Sequence, residues 1–281
     1  MLTKRNFTLN SIGKWTVFYI GLICAVFFFV FPIFWIVTTS LKHRVDVYTE
    51  KPVLLFSVTW QNYQRIFELH DFGRYLLNSF IVATSVTLII VYFGALAAYA
   101  LTRWRIKGYN WVSLAIISAR MFPPIALLPS FFLFASRIGI VDTRRVLIFA
   151  HATYGLPFIV FMLAGFFRQI PRDLDDAALI DGCSYFQLFN WIILPSVAPG
   201  LAATAILSFI WSWNEFLFAL VLTRASSKTL PVVISEFIGF VQVDWQGLTA
   251  MATILLLPSI IITFAAQKYL VRGLTAGAVK G

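Results

Sequence analysis

Long apolar stretches alternate with short polar segments along this chain. Six stretches reach or exceed the roughly 20 residues with which an α-helix crosses a bilayer. They cover residues 15–41, 75–102, 109–136, 146–167, 196–223 and 246–267. Stretches of this length satisfy their backbone polar groups as helices, whereas barrel strands would appear as short alternating segments. The pattern predicts an all-α polytopic membrane protein with six transmembrane helices in a single domain, 1–281.

The polar segments between these stretches are expected on the two sides of a membrane. Residues 42–74 form the longest outer segment, and its mixed charge and aromatic side chains predict a small ordered cap. Shorter outer loops cover 137–145 and 224–244, whereas 168–195 is the main inner loop and 268–281 is a tail. The first apolar run is about twice as long as a signal-peptide core and no small-residue cleavage site follows it, so we expect it to be retained.

Basic residues indicate the orientation only weakly, because Lys and Arg occur in almost equal numbers on the two sides. Local clusters favour a multi-pass arrangement with both termini in the cytoplasm. The clusters consist of Lys4, Arg5 and Lys14, and of Arg103, Arg105 and Lys107.

Composition supports lipid as the main solvent, since 60% of the 281 residues are apolar, 12% are charged and the mean hydropathy is +0.84. The net charge of +10 is spread over many loops, which is typical of membrane flanks and not of a nucleic-acid surface. Cys24 and Cys183 should lie at different depths, so we expect no disulfide. The sequence contains no metal-ligand spacing and no phosphate-binding glycine loop, so we expect no cofactor in this chain, and any ATP would bind to another chain.

The inner loop begins with the sequence IPRDLDDAALIDG at residues 170–182. Pro171 suits a first helical position, the aspartates lie near the positive end of the helix dipole, and Gly182 can adopt the left-handed conformation that ends a helix. A short helix is therefore predicted. Three of its side chains share one face by spacing: Leu174, Ala177 and Ala178.

A second helix should follow, because residues 184–187, Ser-Tyr-Phe-Gln, have the form of a capping box. This helix should run toward Pro195, where the fifth span is expected to begin. The unit of helix, glycine turn and helix then connects directly to spans four and five, a geometry suited to transmitting motion. An amphipathic linker that only covers lipid headgroups is the alternative interpretation.

The order of residues in this loop is more specific than any one of them. Asp176-Ala177-Ala178, followed by Gly182, Ile192 and Leu194-Pro195, resembles the signature loop of ABC importer permeases, although that family usually has glutamate at the acidic position. Further segments resemble the carbohydrate-uptake permeases of the maltose-transporter type. They extend over nearly the whole chain: Pro32, Trp35, Ser40-Leu41-Lys42, Asn78-Ser79, Pro157, Gly165-Phe166-Phe167, Ile170-Pro171, Trp213-Asn214-Glu215-Phe216 and residues 273–281.

The resemblance implies the type I permease fold of ABC importers and a transport subunit of a bacterial or archaeal cytoplasmic membrane that is not itself an enzyme. It implies four kinds of partner: a second, different permease subunit, an ATPase dimer that binds ATP and magnesium, an extracytoplasmic solute-binding protein, and a sugar or sugar derivative.

The residues implied in ATPase coupling are Asp173, Asp176, Ala177, Ala178, Gly182, Leu194 and Pro195. The resemblance also implies ATPase contact by tail residues Gly277, Lys280 and Gly281, for which a frayed terminus is the alternative. The loop 227–245 either contacts the binding protein or is a solvated connector.

Two charges lie inside predicted spans, where an unpaired charge costs a few kcal/mol or more. Arg120 precedes Met121-Phe122-Pro123-Pro124, and the two prolines should interrupt the helix beside a cavity. We hypothesise that Arg120 lines the pathway and meets an anionic group on a sugar derivative. In the default interpretation the substrate is neutral and Arg120 is satisfied by carbonyl groups or by Glu215. Other candidate pathway residues are Asn78, Ser79, Tyr154, Asn214 and Glu215, although a hinge or packing role is favoured for Glu215.

Two other classes of protein fit the sequence less well. An intramembrane enzyme would need a nucleophile, paired acids or metal ligands at matching depth, and the spans offer no such set. A secondary transporter or a stand-alone channel for small polar solutes would be expected to show repeated broken helices or a dense line of intramembrane charges. That class remains the alternative function.

Overall fold

A computed structural model describes residues 9–69, 71–104, 107–239 and 241–276. The described residues form α-helices, one π-helical segment at Leu188–Ile193 and one isolated antiparallel bridge between Ile238 and Val243, and they form no strand. The all-α prediction is confirmed for this part of the chain. In chain order the helices are α1 (Leu9–Ser40), α2 (Arg44–Val47), α3 (Gln61–Leu69), α4 (Phe72–Arg103), α5 (Tyr109–Ala119), α6 (Pro124–Arg137), α7 (Arg144–Phe167), α8 (Asp173–Ile180), α9 (Tyr185–Gln187), α10 (Leu194–Ser196), α11 (Ala198–Trp213), α12 (Leu217–Leu222), α13 (Leu230–Glu236) and α14 (Trp245–Ala276).

Four helices, α1, α4, α7 and α14, are long and apolar enough to cross a membrane. Two further apolar segments are bent pairs, with 87° between α5 and α6 and 80° between the segment Tyr185–Ser196 and α11. The described chain therefore has up to six spans if each bent pair crosses once. Pro123 and Pro124 account for the first bend, since neither has an N–H to continue the helix.

The described residues pack as two compact units, one within 1–70 and 237–254 and the other within 71–236 and 255–281. In the first unit, the expected cap between residues 42 and 69 consists of α2, α3 and irregular chain. The Asn62 amide ties it to the end of α1 by donating to the carbonyls of Ser40 and Lys42 at 2.8 and 3.0 Å. The Ser40 hydroxyl also hydrogen-bonds the Tyr63 hydroxyl at 2.7 Å.

The core of the second unit is built on α4 and α7, and α11 packs against both. Close approach of α4 and α7 depends on Gly94, where an added Cβ would lie only 2.8 Å from Cγ2 of Ile159. Small residues at such contacts let helix backbones approach within a membrane. This packing positions the loop that precedes α7 and the inner loop that follows it, and both are of functional interest.

The three predicted tail contacts, Gly277, Lys280 and Gly281, lie outside the described residues, as do the basic residues Lys4, Arg5 and Arg105.

Candidate coupling loop and pathway site

The inner loop contains the predicted short helix, α8, but it begins at Asp173 and not at Pro171. Pro171 precedes the helix, and its carbonyl accepts the N–H of Leu174 in the entering turn. Gly182 ends the helix as predicted, with φ at +88°, and the N–H of Cys183 reaches back to the carbonyl of Ala178 at 3.0 Å. This is the left-handed stop that glycine adopts without a Cβ penalty.

The faces of α8 differ from the predicted ones. Ala178 faces inward, whereas Leu174 and Ala177 are exposed. The inward partner of Ala178 is Asp175, three residues earlier and also buried. The prediction failed because it grouped residues by spacing alone, whereas packing against the spans decides which side of a short helix is buried.

Asp175 anchors α8 to span α4. Its Oδ2 lies 2.9 Å from Nε of Arg103 as an ion pair, and the Tyr99 hydroxyl donates to its Oδ1 at 2.8 Å. Arg103 also donates to the carbonyl of Ile170 at 3.0 Å, just before α8. The sequence does not indicate this link, which ties the loop to a third span besides the two that continue its ends.

The second arm of the loop begins with the predicted capping box. The Ser184 hydroxyl accepts the N–H of Gln187, and the Gln187 side chain accepts the N–H of Ser184 at 2.9 Å. The arm then runs through the π-helical segment and α10, so helical structure continues past Pro195 and the sharp bend comes at Val197. Leu194 is half-buried and Pro195 is exposed.

Several apolar side chains of this loop are exposed. Ile180 is 85% exposed, and Tyr185 and Phe186 next to the glycine turn are 64% and 68% exposed. Together with Leu174 and Ala177 they form what we call the loop face. An exposed apolar cluster of this kind on a loop is typical of a protein contact.

Arg120 ends α5 at the bend before α6 and lies half-buried against α7. Its Nη1 donates to the carbonyl of Tyr154 at 2.9 Å. Its guanidinium carbon lies 4.2 Å from the ring centroid of Tyr154, 5.3 Å from Trp211 and 5.7 Å from Phe158. Tyr154 and Trp211 also stack on one another, with centroids 6.0 Å apart. Arg120 and Tyr154, predicted separately from the sequence, thus form one site with Trp211, which no feature of the sequence indicated.

Glu215 does not pair with Arg120. It lies in a break between α11 and α12, where its two carboxylate oxygens accept the N–H groups of Phe218 and Ala219 at 2.9 and 3.3 Å. Its Oε2 is 3.0 Å from Nε2 of the fully buried His151 on α7. The free N–H groups at the start of α12 attract the carboxylate, and a histidine that the sequence pattern left unassigned supplies its partner.

The remaining candidates lie in different surroundings. Asn78 is fully buried, and its amide donates to the carbonyls of Ser226 and Lys228 and accepts from Arg144 Nε at 2.6 Å. These contacts favour a structural role. Ser79 is also buried and accepts the N–H of Leu230, whereas Asn214 is exposed and donates to the carbonyl of Ile210.

Asp142, between α6 and α7, holds the segment after α12 and was not singled out by the sequence. Its carboxylate accepts four successive backbone N–H groups, those of residues 224–227, at 3.0 to 3.2 Å. Burial acts to raise the pKa of Asp142, but these hydrogen bonds outweigh it and hold the pKa well below its usual range. The residue adopts φ of +60°, which Asp tolerates better than most residues.

The model of the family described as binding-protein-dependent transport system inner membrane component matches residues 90–276. The chain belongs to this family. It is 38% identical over 267 residues to the trehalose/maltose transport system permease protein of Thermococcus litoralis. The matched region covers 93% of this chain and 95% of that protein. It is 39% identical over 253 residues to the trehalose transport system permease protein of Mycobacterium tuberculosis, covering 89% and 92% of the two chains.

A solved structure shares the fold of this permease. It is a chain of a bacterial ABC transporter involved in the import of the acidic polysaccharide alginate, with a TM-score of 0.79, 23% identity and coverage of 94% of this chain and 98% of that chain. The predictions of a type I permease fold and of a transport subunit of the inner membrane are confirmed. The alternatives of a secondary transporter, a channel and an intramembrane enzyme are set aside.

Proposed function

We propose that this permease translocates a sugar or sugar derivative inward by alternating access, driven by an ATPase that docks on its inner loop. The observation that carries the proposal is the helix, glycine turn and helix of residues 173–196, with an exposed loop face. The trehalose and maltose permeases among its relatives support a sugar as the substrate.

The loop has the connections that a coupling element needs. Asp173 and Asp176 are exposed beside the loop face, to which Ala177 belongs, whereas Asp175 and Ala178 attach the other side of α8 to the membrane helices. If the loop face is seated in a cleft of the ATPase, movement of the ATPase would therefore move α4, α7 and α11 together. Such a motion fits rigid-body gating of packed helices.

The cluster of Arg120, Tyr154 and Trp211 is our candidate for the sugar pathway in this chain. Apolar faces of sugar rings pack on aromatic rings, and guanidinium groups donate to hydroxyl or anionic oxygens. The Arg120 guanidinium already donates to the Tyr154 carbonyl through Nη1. An anionic group on the substrate is therefore not needed to satisfy this arginine, and a neutral sugar fits the site. We place Asn214 near the same pathway only as a weaker candidate, since its amide bonds within its own helix.

The partners follow from the same proposal. A second, different permease would cover the exposed α1, a solute-binding protein would deliver the sugar on the outer side, and the ATPase dimer would hold ATP and magnesium. Both termini then lie in the cytoplasm, where the tail with Gly277, Lys280 and Gly281 can meet the ATPase.

Substitution of Gly182 tests the coupling role. Gly182 has φ at +88°. A β-branched residue at this φ would strain the backbone by about 1–2 kcal/mol or more, which should distort the turn between the two arms. We expect Gly182→Val to abolish sugar uptake by the complete transporter in proteoliposomes while ATP hydrolysis continues. Full uptake in this variant would contradict the proposal.

Gly73→Val is the matched control. Gly73 lies in the first turn of α4, where an added Cβ meets nothing within 4 Å and φ is not positive. Uptake should stay within about twofold of the wild-type rate, since surface substitutions usually change stability by less than about 0.5 kcal/mol.

A further inference from the structure

A cavity of about 400 Å³ lies in the first unit, where the end of α1 meets the start of α14. Trp35 and Ile36 of α1 line it, together with Trp245 and Leu248 of α14. This volume lies in the range of about 300–1,000 Å³ that small-ligand sites occupy. The cavity is separate from the coupling loop and from the cluster around Arg120, and neither the family nor the proposed function assigns it a role.

Two hydrogen-bond donors in this cavity have no protein acceptor within the described chain. Lys42 is 3% exposed, and its ammonium lies 4.7 Å from the ring centroid of Trp35 and 5.1 Å from that of Phe56. The ion pairs of the described residues do not include it. Thr39, one helical turn earlier, is 7% exposed, and its buried hydroxyl has no hydrogen-bond partner. A buried cation and a buried hydroxyl that share one cavity call for an anionic ligand oxygen.

Acceptors lie farther along the chain at the same cavity. Asp46 is half-buried and Glu50 is exposed, and both line the wall that follows α1. Along the chain the lining thus changes from aromatic and aliphatic at Trp35, to cationic at Lys42, to acidic at 46 and 50.

We propose that this cavity binds the headgroup of an ammonium-bearing phospholipid. The phosphate accepts from the Lys42 ammonium and the Thr39 hydroxyl, the ammonium group meets Asp46 and Glu50, and the glycerol and acyl chains follow Trp35 onto the apolar surface of α1. Tryptophan is enriched at the membrane–water boundary, where both Trp35 and Trp245 stand at the ends of apolar spans. The graded order of apolar, cationic and acidic groups matches a phospholipid better than a sugar, which would need polar groups around a ring.

The probe is dilauroyl-phosphatidylethanolamine, titrated into the delipidated full-length chain in detergent and detected by native mass spectrometry. We expect the wild-type chain to retain one such lipid per chain more tightly than dilauroyl-phosphatidylglycerol. Thr39→Val keeps the shape of the side chain and removes only the hydroxyl, and it should weaken binding about fivefold. Lys42→Met keeps the length of the stem and should weaken binding about tenfold or more, the scale of a charge-assisted hydrogen bond.

Lys51→Met is the matched control, because Lys51 is exposed in the same segment and does not line the cavity. It should bind the lipid as the wild type does. Asp46→Asn should erase the preference over phosphatidylglycerol. The proposal is overturned if the two lipids bind the wild type equally, if Thr39→Val and Lys42→Met bind as Lys51→Met does, or if glucose or maltose displaces the lipid. Since Thr39→Val is isosteric, its result stands even where Lys42→Met does not fold.

Discussion

At the scale of single residues, two neighbouring acids of the coupling loop have opposite surroundings. Asp175 is buried and paired with Arg103, whereas Asp176, the acid of the signature loop, is exposed. One side chain therefore holds the loop to the membrane helices, and the other is available to a partner. The division explains how a helix of eight residues can be both anchored and free to bind.

Asp175→Asn tests the anchor. The substitution leaves the buried guanidinium of Arg103 without its counter-charge, and loss of one partner of a buried ion pair costs about 3–5 kcal/mol. We expect a clearly lower thermal midpoint of the full-length chain in detergent and weaker coupling of ATP hydrolysis to uptake. Asp176→Asn is the control for stability, with a change below about 0.5 kcal/mol. Equal midpoints for the two variants would contradict the anchoring role of Asp175.

The sequence predicts part of this loop because part of it depends on neighbours in the chain. The Gly182 stop and the Ser184–Gln187 capping box are short-range features, and both formed as predicted. The role of Asp175 depends on Tyr99 and Arg103, more than 70 residues earlier, so three aspartates in one helical turn could not be told apart.

Asp142 leads to a pH-dependent prediction. Its folded pKa is below the ordinary value of about 3.9, so its stabilising effect is fully present above that pH and is lost as the pH falls below it. Asp142→Asn should therefore lower the unfolding free energy by about 1.5–3 kcal/mol at pH 7, the scale of hydrogen bonds to a charged group. Thermal melts at pH 7 and near pH 3 should show the difference from wild type shrinking in acid. Asp71→Asn, an exposed acid, should show little difference at either pH, and a pH-independent difference for Asp142→Asn would contradict the assignment.

At the scale of elements, the two charges inside the spans mark the places where helices break. Arg120 stands at the 87° bend between α5 and α6, and Glu215 stands between α11 and α12. A residue of α7 contacts each charge: Arg120 donates to the Tyr154 carbonyl, and Glu215 pairs with His151. The Pro123-Pro124 break was predictable from the sequence, whereas the partners were not, because α7 packs against both breaks only in the folded unit.

Arg120→Lys tests the pathway role of the first break. Lysine keeps the charge but lacks the planar fork with which arginine can donate to a carbonyl and a ligand at once. We expect the apparent KM for sugar uptake by the complete transporter to rise about tenfold, with the thermal midpoint nearly unchanged. Arg137→Lys at the exposed end of α6 is the control. Unchanged uptake and unchanged sugar preference for Arg120→Lys would remove this residue from the pathway.

At the scale of the whole molecule, α1 differs from the other long spans. The apolar window of α1 contains no buried residue, whereas about two fifths of the windows of α4 and α7 are buried. Most aromatic side chains described along α1 are more than half exposed, among them Phe28 and Phe29 at 72% and 73%. A helix surface as exposed as this one is stable in lipid, but shape-complementary packing against a second permease would bury it.

Cys24, exposed on α1, is a natural position for measuring that burial. A nitroxide attached there, in a Cys183→Ser background, should collide freely with dissolved oxygen in the lipid when the chain is reconstituted alone. We expect the collision rate to fall several-fold when the second permease is present, because packed helices exclude the lipid that carries oxygen. Addition of the ATPase dimer alone is the control and should leave the rate unchanged, since the inner loop proposed as its docking site is not part of α1. An equal rate in the complete transporter would mean that α1 stays in lipid and that another surface of this chain meets the second permease.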